Sequence, residues 1–239
     1  MKPNDVVLAP SCSRYNKSDF NKPDFSFEKQ LLQQNHRFII GIDEVGRGAL
    51  AGPLVVGGVI FPSKIINKET QLVYRLGKKK VWIDDSKRLS PSWREVLAPF
   101  IRQKALFWAI ARVEVSEINR LGIVKATYRG VRRVSASLLK QSDSKECFVL
   151  NDFLKVPHLK GIGRERQKGI KKGDQLSISI AAASILAKVY RDEVMRELGK
   201  DPLCRHYDWE QNKGYGTKKH LEAIVKKGVT KHHRKAFVD

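Results

Sequence analysis

The sequence predicts an α/β domain in which strands and helices alternate around one sheet. Three observations lead there. Two apolar runs rich in β-branched residues bracket a glycine-rich turn within residues 38–61. Further short apolar runs then alternate with stretches of helical period. Neither an internal repeat nor a Pro/Gly-rich linker interrupts residues 36–235, so 36–239 reads as one domain behind a flexible arm, residues 1–35.

The segment FIIGIDEVGRGALAGPLVVGGVIF (38–61) organises the rest. Ile39, Ile40 and Ile42 suit a buried strand, and residues 54–61 read as its antiparallel partner after the breaks at Gly48, Gly52 and Pro53. Asp43 and Glu44 stand between the first run and Gly46-Arg47-Gly48. Adjacent carboxylates repel, which raises one pKa unless a cation neutralises them. Hard divalent ions take such oxygens together with waters and substrate phosphates. A regular strand sends neighbouring side chains to opposite faces. Sharing one ion therefore requires a strand end or a bulge, which the glycine turn permits. A solvated turn capped by Asp and Glu fits the same residues.

Within the arm, residues 25–34 read as a short helix. Residues 65–80, ending in Lys78-Lys79-Lys80, form a basic insertion expected as a solvated loop. Ser90 followed by Pro91 starts a helix over 91–104, with Trp93, Val96, Leu97, Phe100 and Ile101 on one face and Lys87 just ahead of it. Residues 105–115 read as a third strand. Ser116 then caps a helix carrying Ile118, Leu121, Val124, Val131, Val134 and Leu138. Residues 147–151 form a fourth strand with Asp152 at its carboxyl end, where open α/β sheets build their sites. A basic loop over 155–172 holds a short fifth strand near 166–170, and Asp174 follows it.

The longest helix is expected over 175–198. Ile178, Ala182, Ile185, Leu186 and Val189 make its core flank. Ser177, Ala181, Ser184 and Lys188 make a smooth second stripe, open to a phosphate backbone or to packing against another helix. Near the end, glycines on both sides of Tyr215 leave its ring unobstructed for stacking or sugar contact, and Thr217 caps a helix through Val225.

Composition narrows the partner. Forty-six Lys and Arg against 25 Asp and Glu give a net charge of +21, which points to a polyanion, nucleic acid above all. A hydrophobic content of 41% excludes a disordered chain. Cys12, Cys147 and Cys204 match neither a zinc spacing nor a disulfide framework, as in a reducing cytoplasm. Residues 6–9 are too short an apolar run for a signal peptide, and Asp5, Asp19 and Asp24 oppose a transit peptide. No 18-residue apolar stretch free of polar interruption exists, so no membrane span is expected and the protein is expected in the cytoplasm.

Taken in order, GIDEVGRGALAGP (41–53), DDSKRLS (84–90), KGD (172–174), SIAAASILAKVYRD (179–192), KGYGT (213–217) with His220, and HR (233–234) resemble ribonuclease HII, the type 2 ribonuclease H family. In the sister type HIII the glycine turn usually carries Thr in place of Arg and a further N-terminal domain precedes it. Arg47 and the short arm are similar to HII. The resemblance implies a ribonuclease H-like fold: a mixed five-stranded sheet flanked by helices, its first three strands antiparallel, with a helical C-terminal part completing a substrate groove. It implies Asp43, Glu44, Asp152 and Asp174 as the catalytic, metal-binding carboxylates for two Mg²⁺ or Mn²⁺ ions. It also implies 2′-hydroxyl recognition by the backbone of Gly46, Arg47 and Gly48 with Tyr215. Lys87, Ser184 and Lys188 would position phosphates. The implied activity is hydrolysis of the RNA strand of RNA/DNA hybrids. It extends to cleavage 5′ of single ribonucleotides in duplex DNA, leaving 3′-hydroxyl and 5′-phosphate ends, as in ribonucleotide excision repair. A monomer is expected.

The chain departs from the family pattern in places. Asn151-Asp152-Phe153 replaces the usual Asp-Gly ending of the fourth strand, Val45 replaces a common alanine, and Lys231 stands where proline is frequent. Asp192 competes for the role of fourth acid, but it lies about 18 helix positions beyond Asp174, roughly 27 Å at ~1.5 Å per residue. The two cannot serve one site. A non-catalytic nucleic-acid coat protein, and a ribonuclease H-like nuclease or integrase with another substrate, are the rival readings.

Overall fold

The computed structural model describes residues 22–238, so the expectations for residues 1–21 lie outside the described residues. In chain order the elements are α1 (Ser26–Gln33), β1 (Phe38–Val45), β2 (Leu54–Ile60), α2 (Ser63–Lys68), β3 (Val73–Leu76), β4 (Lys79–Trp82), α3 (Pro91–Lys104), β5 (Phe107–Val113), α4 (Val115–Leu121), α5 (Ile123–Leu139), β6 (Cys147–Asp152), β7 (Gln167–Ile170), α6 (Ile178–Lys200), α7 (Trp209–Asn212), α8 (Lys218–Lys227) and α9 (Lys235–Val238).

Five strands form one mixed sheet in the order β5-β2-β1-β6-β7. β1, β2 and β5 pair antiparallel, whereas β6 and β7 run parallel to β1. Helices cover both faces, which is why every residue of β2 is buried. On one face Val131, Val134 and Leu138 of α5 pack on Ile40, Ile42, Val56 and Val149. On the other, Ile178, Ala182, Ile185 and Leu186 of α6 join Leu97, Phe100 and Ile101 of α3. The backbone of α6 lies directly on the sheet at two glycines. A Cβ at Gly41 would come within 2.2 Å of the Ser179 carbonyl carbon, and one at Gly57 within 2.3 Å of the Ala183 carbonyl oxygen. Glycine is required there by close approach.

Several expectations need correction. The described part of the arm is built into the domain. Phe25 is fully buried with its ring 5.5 Å from that of Phe61, and Leu31 joins the core. The Glu28 carboxylate accepts from the Ser177 hydroxyl (2.6 Å) and the Ser179 N–H (3.0 Å), so α1 caps the start of α6. The supposed loop over 65–80 contains α2 and the hairpin β3–β4, which turns at Gly77 with φ +58°. The long helix after β5 is two helices, divided at Gly122 with φ +73°. Its start lies at Glu114, whose N–H donates to the Glu117 carboxylate (3.2 Å), rather than at Ser116. The longest helix begins after Ser177, and residues 173–175 form a separate 3₁₀ turn. Ser177, Ala181 and Ser184 are buried within the domain, and of that stripe only Lys188 stays half-exposed. Ser90, Pro91 and Thr217 occupy the cap positions expected of them. Among the described residues no helix is long and apolar enough to cross a membrane.

Candidate active site

The parallel pair β1–β6 ends with Ile42 opposite Asn151. Asp43 and Asp152 follow at the carboxyl ends, neighbours on strands spaced ~4.8 Å apart. On its other side β1 stays paired with β2 through Val45–Val55, with no bulge. The ladder to β6 therefore stops two residues before Glu44, and this opening is the strand end that lets two adjacent acids share one space. Asp43, Glu44 and Asp152 line a cavity of about 490 Å³ together with Gly46, Arg47, Gly48, Ser86, Lys87, Ser184, Lys188 and Tyr215. Asp174 stands at its side, on the 3₁₀ turn ahead of α6. The Gly173 N–H donates to Asp152 Oδ1 at 2.7 Å and ties that turn to β6, while Lys87 Nζ reaches Asp174 Oδ2 at 3.4 Å.

Burial pushes the Asp43 carboxyl well above the ordinary range. Glu44, Asp152 and Asp174 push the same way, and a hydrogen bond from the Ser184 hydroxyl opposes them. Glu44 is raised to about 7, chiefly by burial, against the pull of Arg47, whose Nη1 lies 3.5 Å from Glu44 Oε1. Burial also raises Asp152 and Asp174, with Asp85 adding repulsion and Lys87 opposing it. Burial alone would lower Lys87, but Asp174, Asp85 and Asp43 outweigh it and its pKa is raised. The cleft is thus a set of carboxylates whose repulsion Lys87 only partly offsets, which is the condition a divalent cation relieves. All its donors are hard oxygens, so the residues fit Mg²⁺ or Mn²⁺. Among the described residues no three His, Cys, Asp or Glu side chains close into a cage around an ion. Mg²⁺ does not need one, because it binds through one or two carboxylates plus waters and phosphates.

Phe153 adopts φ +61°, a backbone shape that glycine takes at little cost. Its N–H donates to the Ile170 carbonyl (2.8 Å), and the Leu154 N–H to the Asp152 carbonyl (2.7 Å). Loss of the family glycine therefore leaves Asp152 at the end of β6. Asp192 is committed elsewhere, to Lys188 Nζ (2.8 Å) and Arg94 Nη2 (3.7 Å), so Asp174 is the acid grouped with Asp43 and Asp152.

The glycine turn is held from beneath by buried arginines. Arg234 donates to the Gly52 carbonyl through Nε (3.0 Å) and Nη2 (2.9 Å), and to the Arg47 carbonyl through Nη1 (2.9 Å). Arg191 donates to the carbonyls of Pro53 (2.9 Å), Lys213 (2.8 Å) and Ala51 (3.1 Å). The Leu50 and Ala51 N–H groups donate to the Gly214 carbonyl, joining this turn to the loop of Tyr215. Burial lowers both guanidinium pKa values, Arg234 to about 9 with Arg191 adding to it. The Arg191 guanidinium carbon lies 5.4 Å from the Tyr215 ring centre and Lys188 Nζ 5.9 Å. Ser184 Oγ is 3.0 Å from Ser86 Oγ. Sequence reasoning missed Asp85, Arg191 and Arg234 as parts of the site. Each lies inside a motif quoted above, yet Arg is so rarely buried that sequence gives no hint of a clamp.

A sequence model of the family described as Ribonuclease HII matches residues 40–239. The chain is 44% identical over 216 residues to Ribonuclease HII of Wolbachia pipientis subsp. Culex pipiens (strain wPip), covering 90% of this chain and 95% of that relative. Its fold is similar to that of the Archaeoglobus fulgidus RNase HII solved with PCNA (TM-score 0.59, 24% identity, 82% of this chain and 91% of that one). It is equally similar to Bst-RNase HIII solved with Mn²⁺ (TM-score 0.59, 24% identity, 83% and 65%). These likenesses establish a ribonuclease H-like fold. Because the family match spans every element that builds the acid-lined cleft, the chain belongs to the ribonuclease HII family and is a ribonuclease H enzyme.

Proposed function

We propose that this chain hydrolyses the RNA strand of RNA/DNA hybrids and cuts on the 5′ side of single ribonucleotides embedded in duplex DNA, leaving 3′-hydroxyl and 5′-phosphate ends. The observation that carries the reading is one cleft in which Asp43, Glu44 and Asp152 stand beside the glycine turn and Tyr215, with Asp174 tied to its edge. Asp43, Glu44, Asp152 and Asp174 would hold two divalent ions, Mg²⁺ or Mn²⁺, which when bound supply an activated water for in-line attack and charge stabilisation at the departing 3′ oxygen.

The remaining work falls to the chain. Gly46, Arg47 and Gly48 offer backbone N–H and C=O groups to the 2′-hydroxyl, the group that separates RNA from DNA at a nucleotide. Arg234 keeps that turn in place from below. Tyr215 presents its ring to the sugar, and Lys87, Ser184 and Lys188 line the cleft where phosphates lie. A charge of +21 draws the polyanion in. Monomeric action in the cytoplasm belongs to the same reading, and the free, buried Cys147 and Cys204 suit that compartment. The division into an arm and a catalytic domain also belongs to it, with residues 22–35 packed on the domain.

Asp43→Asn tests the reading on a labelled duplex holding one ribonucleotide. Mg²⁺-dependent cleavage is expected to vanish while duplex binding survives. Retained turnover would remove Asp43 from the chemistry.

A further inference from the structure

Behind Tyr215, the rings of Tyr207, Trp209, His220 and His233 form a small core, with His233 4.7 Å from Tyr207, 5.4 Å from Trp209 and 5.3 Å from His220 between ring centres. Their hydrogen bonds admit one arrangement of protons. The Thr230 N–H donates to His233 Nδ1 (2.9 Å), which places the proton of that neutral ring on Nε2. His233 Nε2 faces His220 Nε2 at 3.2 Å, and the indole N–H of Trp209, which can only donate, reaches the same atom at 3.1 Å. His220 Nε2 therefore accepts, and its ring carries its proton on Nδ1. That proton points at the Tyr215 carbonyl oxygen, 2.9 Å away. Both rings are buried, which keeps them neutral as this pattern demands.

Tyr215 needs such an anchor. It sits between Gly214, at φ +80°, and Gly216. Its carbonyl also accepts from the Thr217 N–H (2.8 Å), so the His220 proton completes that oxygen's two bonds. We infer that His220 is a positioning residue for the reaction: through its Nδ1–H it fixes the Tyr215 peptide, and hence the ring that meets the ribonucleotide. His233 and Trp209 set the tautomer that makes the bond. The inference rests on the role proposed above for Tyr215.

Two substitutions divide the functions of the imidazole. In His220→Asn the amide N–H takes the place of Nδ1–H, but Trp209 and His233 lose their acceptor. In His220→Gln the side chain accepts from Trp209 and His233 but offers no donor to Tyr215. With the full chain and a duplex holding one ribonucleotide, His220→Gln is expected to lower kcat/KM about tenfold, the worth of one buried hydrogen bond. His220→Asn is expected to keep kcat/KM within about threefold despite a lower Tm. In a Tyr215→Ala background His220→Gln should cost nothing further. In ¹⁵N-glycine-labelled protein the Gly216 amide, bonded to the Tyr215 carbonyl, should shift in His220→Gln and stay in place in His220→Asn. Activity that follows Tm in both variants, a full extra loss in the Tyr215→Ala background, or an unmoved Gly216 signal in His220→Gln would overturn the inference. A wild-type protein that leaves the duplex uncut would sink the role of Tyr215 instead, and the Gly216 shift would still decide whether His220 fixes that peptide.

Discussion

At Phe153 a side chain 67% exposed sits on a left-handed backbone beside the acids. The strain of that conformation, ~1 kcal/mol for a residue with a Cβ, is not offset by burial. Phe153→Gly is therefore expected to raise stability by about 1 kcal/mol in urea unfolding, whereas a lower midpoint would mean the ring contributes packing. Tyr215→Ala is expected to slow cleavage at a single embedded ribonucleotide, and an unchanged rate would leave the ring without a role. His233, held at about 4 by burial and by the neighbouring His220 and His232, makes a signed contribution to stability. Its folded pKa lies below the ordinary ~6.5, so the unfolded chain binds the proton first. Stability from this group is complete above pH ~6.5 and declines as the pH falls toward 4. Unfolding midpoints at pH 7.5 and 5 should separate by less in His233→Gln than in the wild type. At this scale the sequence revealed Asp43 and Glu44 through their adjacency and the glycine turn. Asp85, Arg191, Arg234 and the tautomers of His220 and His233 emerge only from partners distant in the chain.

Among the elements, β1, β2, α3 and α8 were legible because each carries its own punctuation: glycines and Pro53 between the strands, Ser90 with Pro91, and Thr217. The errors arose where a distant partner decides the outcome. Nothing near Glu28 in the sequence marks it as a cap, yet it caps α6 from about 150 residues away. Glu28→Ala should cost ~2 kcal/mol, the upper end for a lost helix cap. Glu28→Gln, which still offers a carbonyl oxygen to Ser177 and Ser179, should cost less. Equal losses in urea unfolding would mean the charge rather than the accepting oxygen matters. Gly122 divided a helix whose apolar period runs on across it, and periodicity cannot register a single residue at φ +73°.

For the whole molecule, the sheet is mixed as the motif resemblance implied, and its order places the carboxyl ends of the parallel neighbours β1 and β6 side by side. The motif resemblance already implied Asp174 as the acid that completes the group, with Asp192 as its rival, because Asp174 precedes the long helix and Asp192 lies within it. Cleavage of a duplex holding one ribonucleotide by Asp174→Asn and Asp192→Asn, with duplex affinity measured in parallel, tests this most directly. The account predicts a loss of about a hundredfold or more for Asp174→Asn at unchanged affinity, and a change of only about threefold for Asp192→Asn. The opposite order, or full activity in Asp174→Asn, would contradict it.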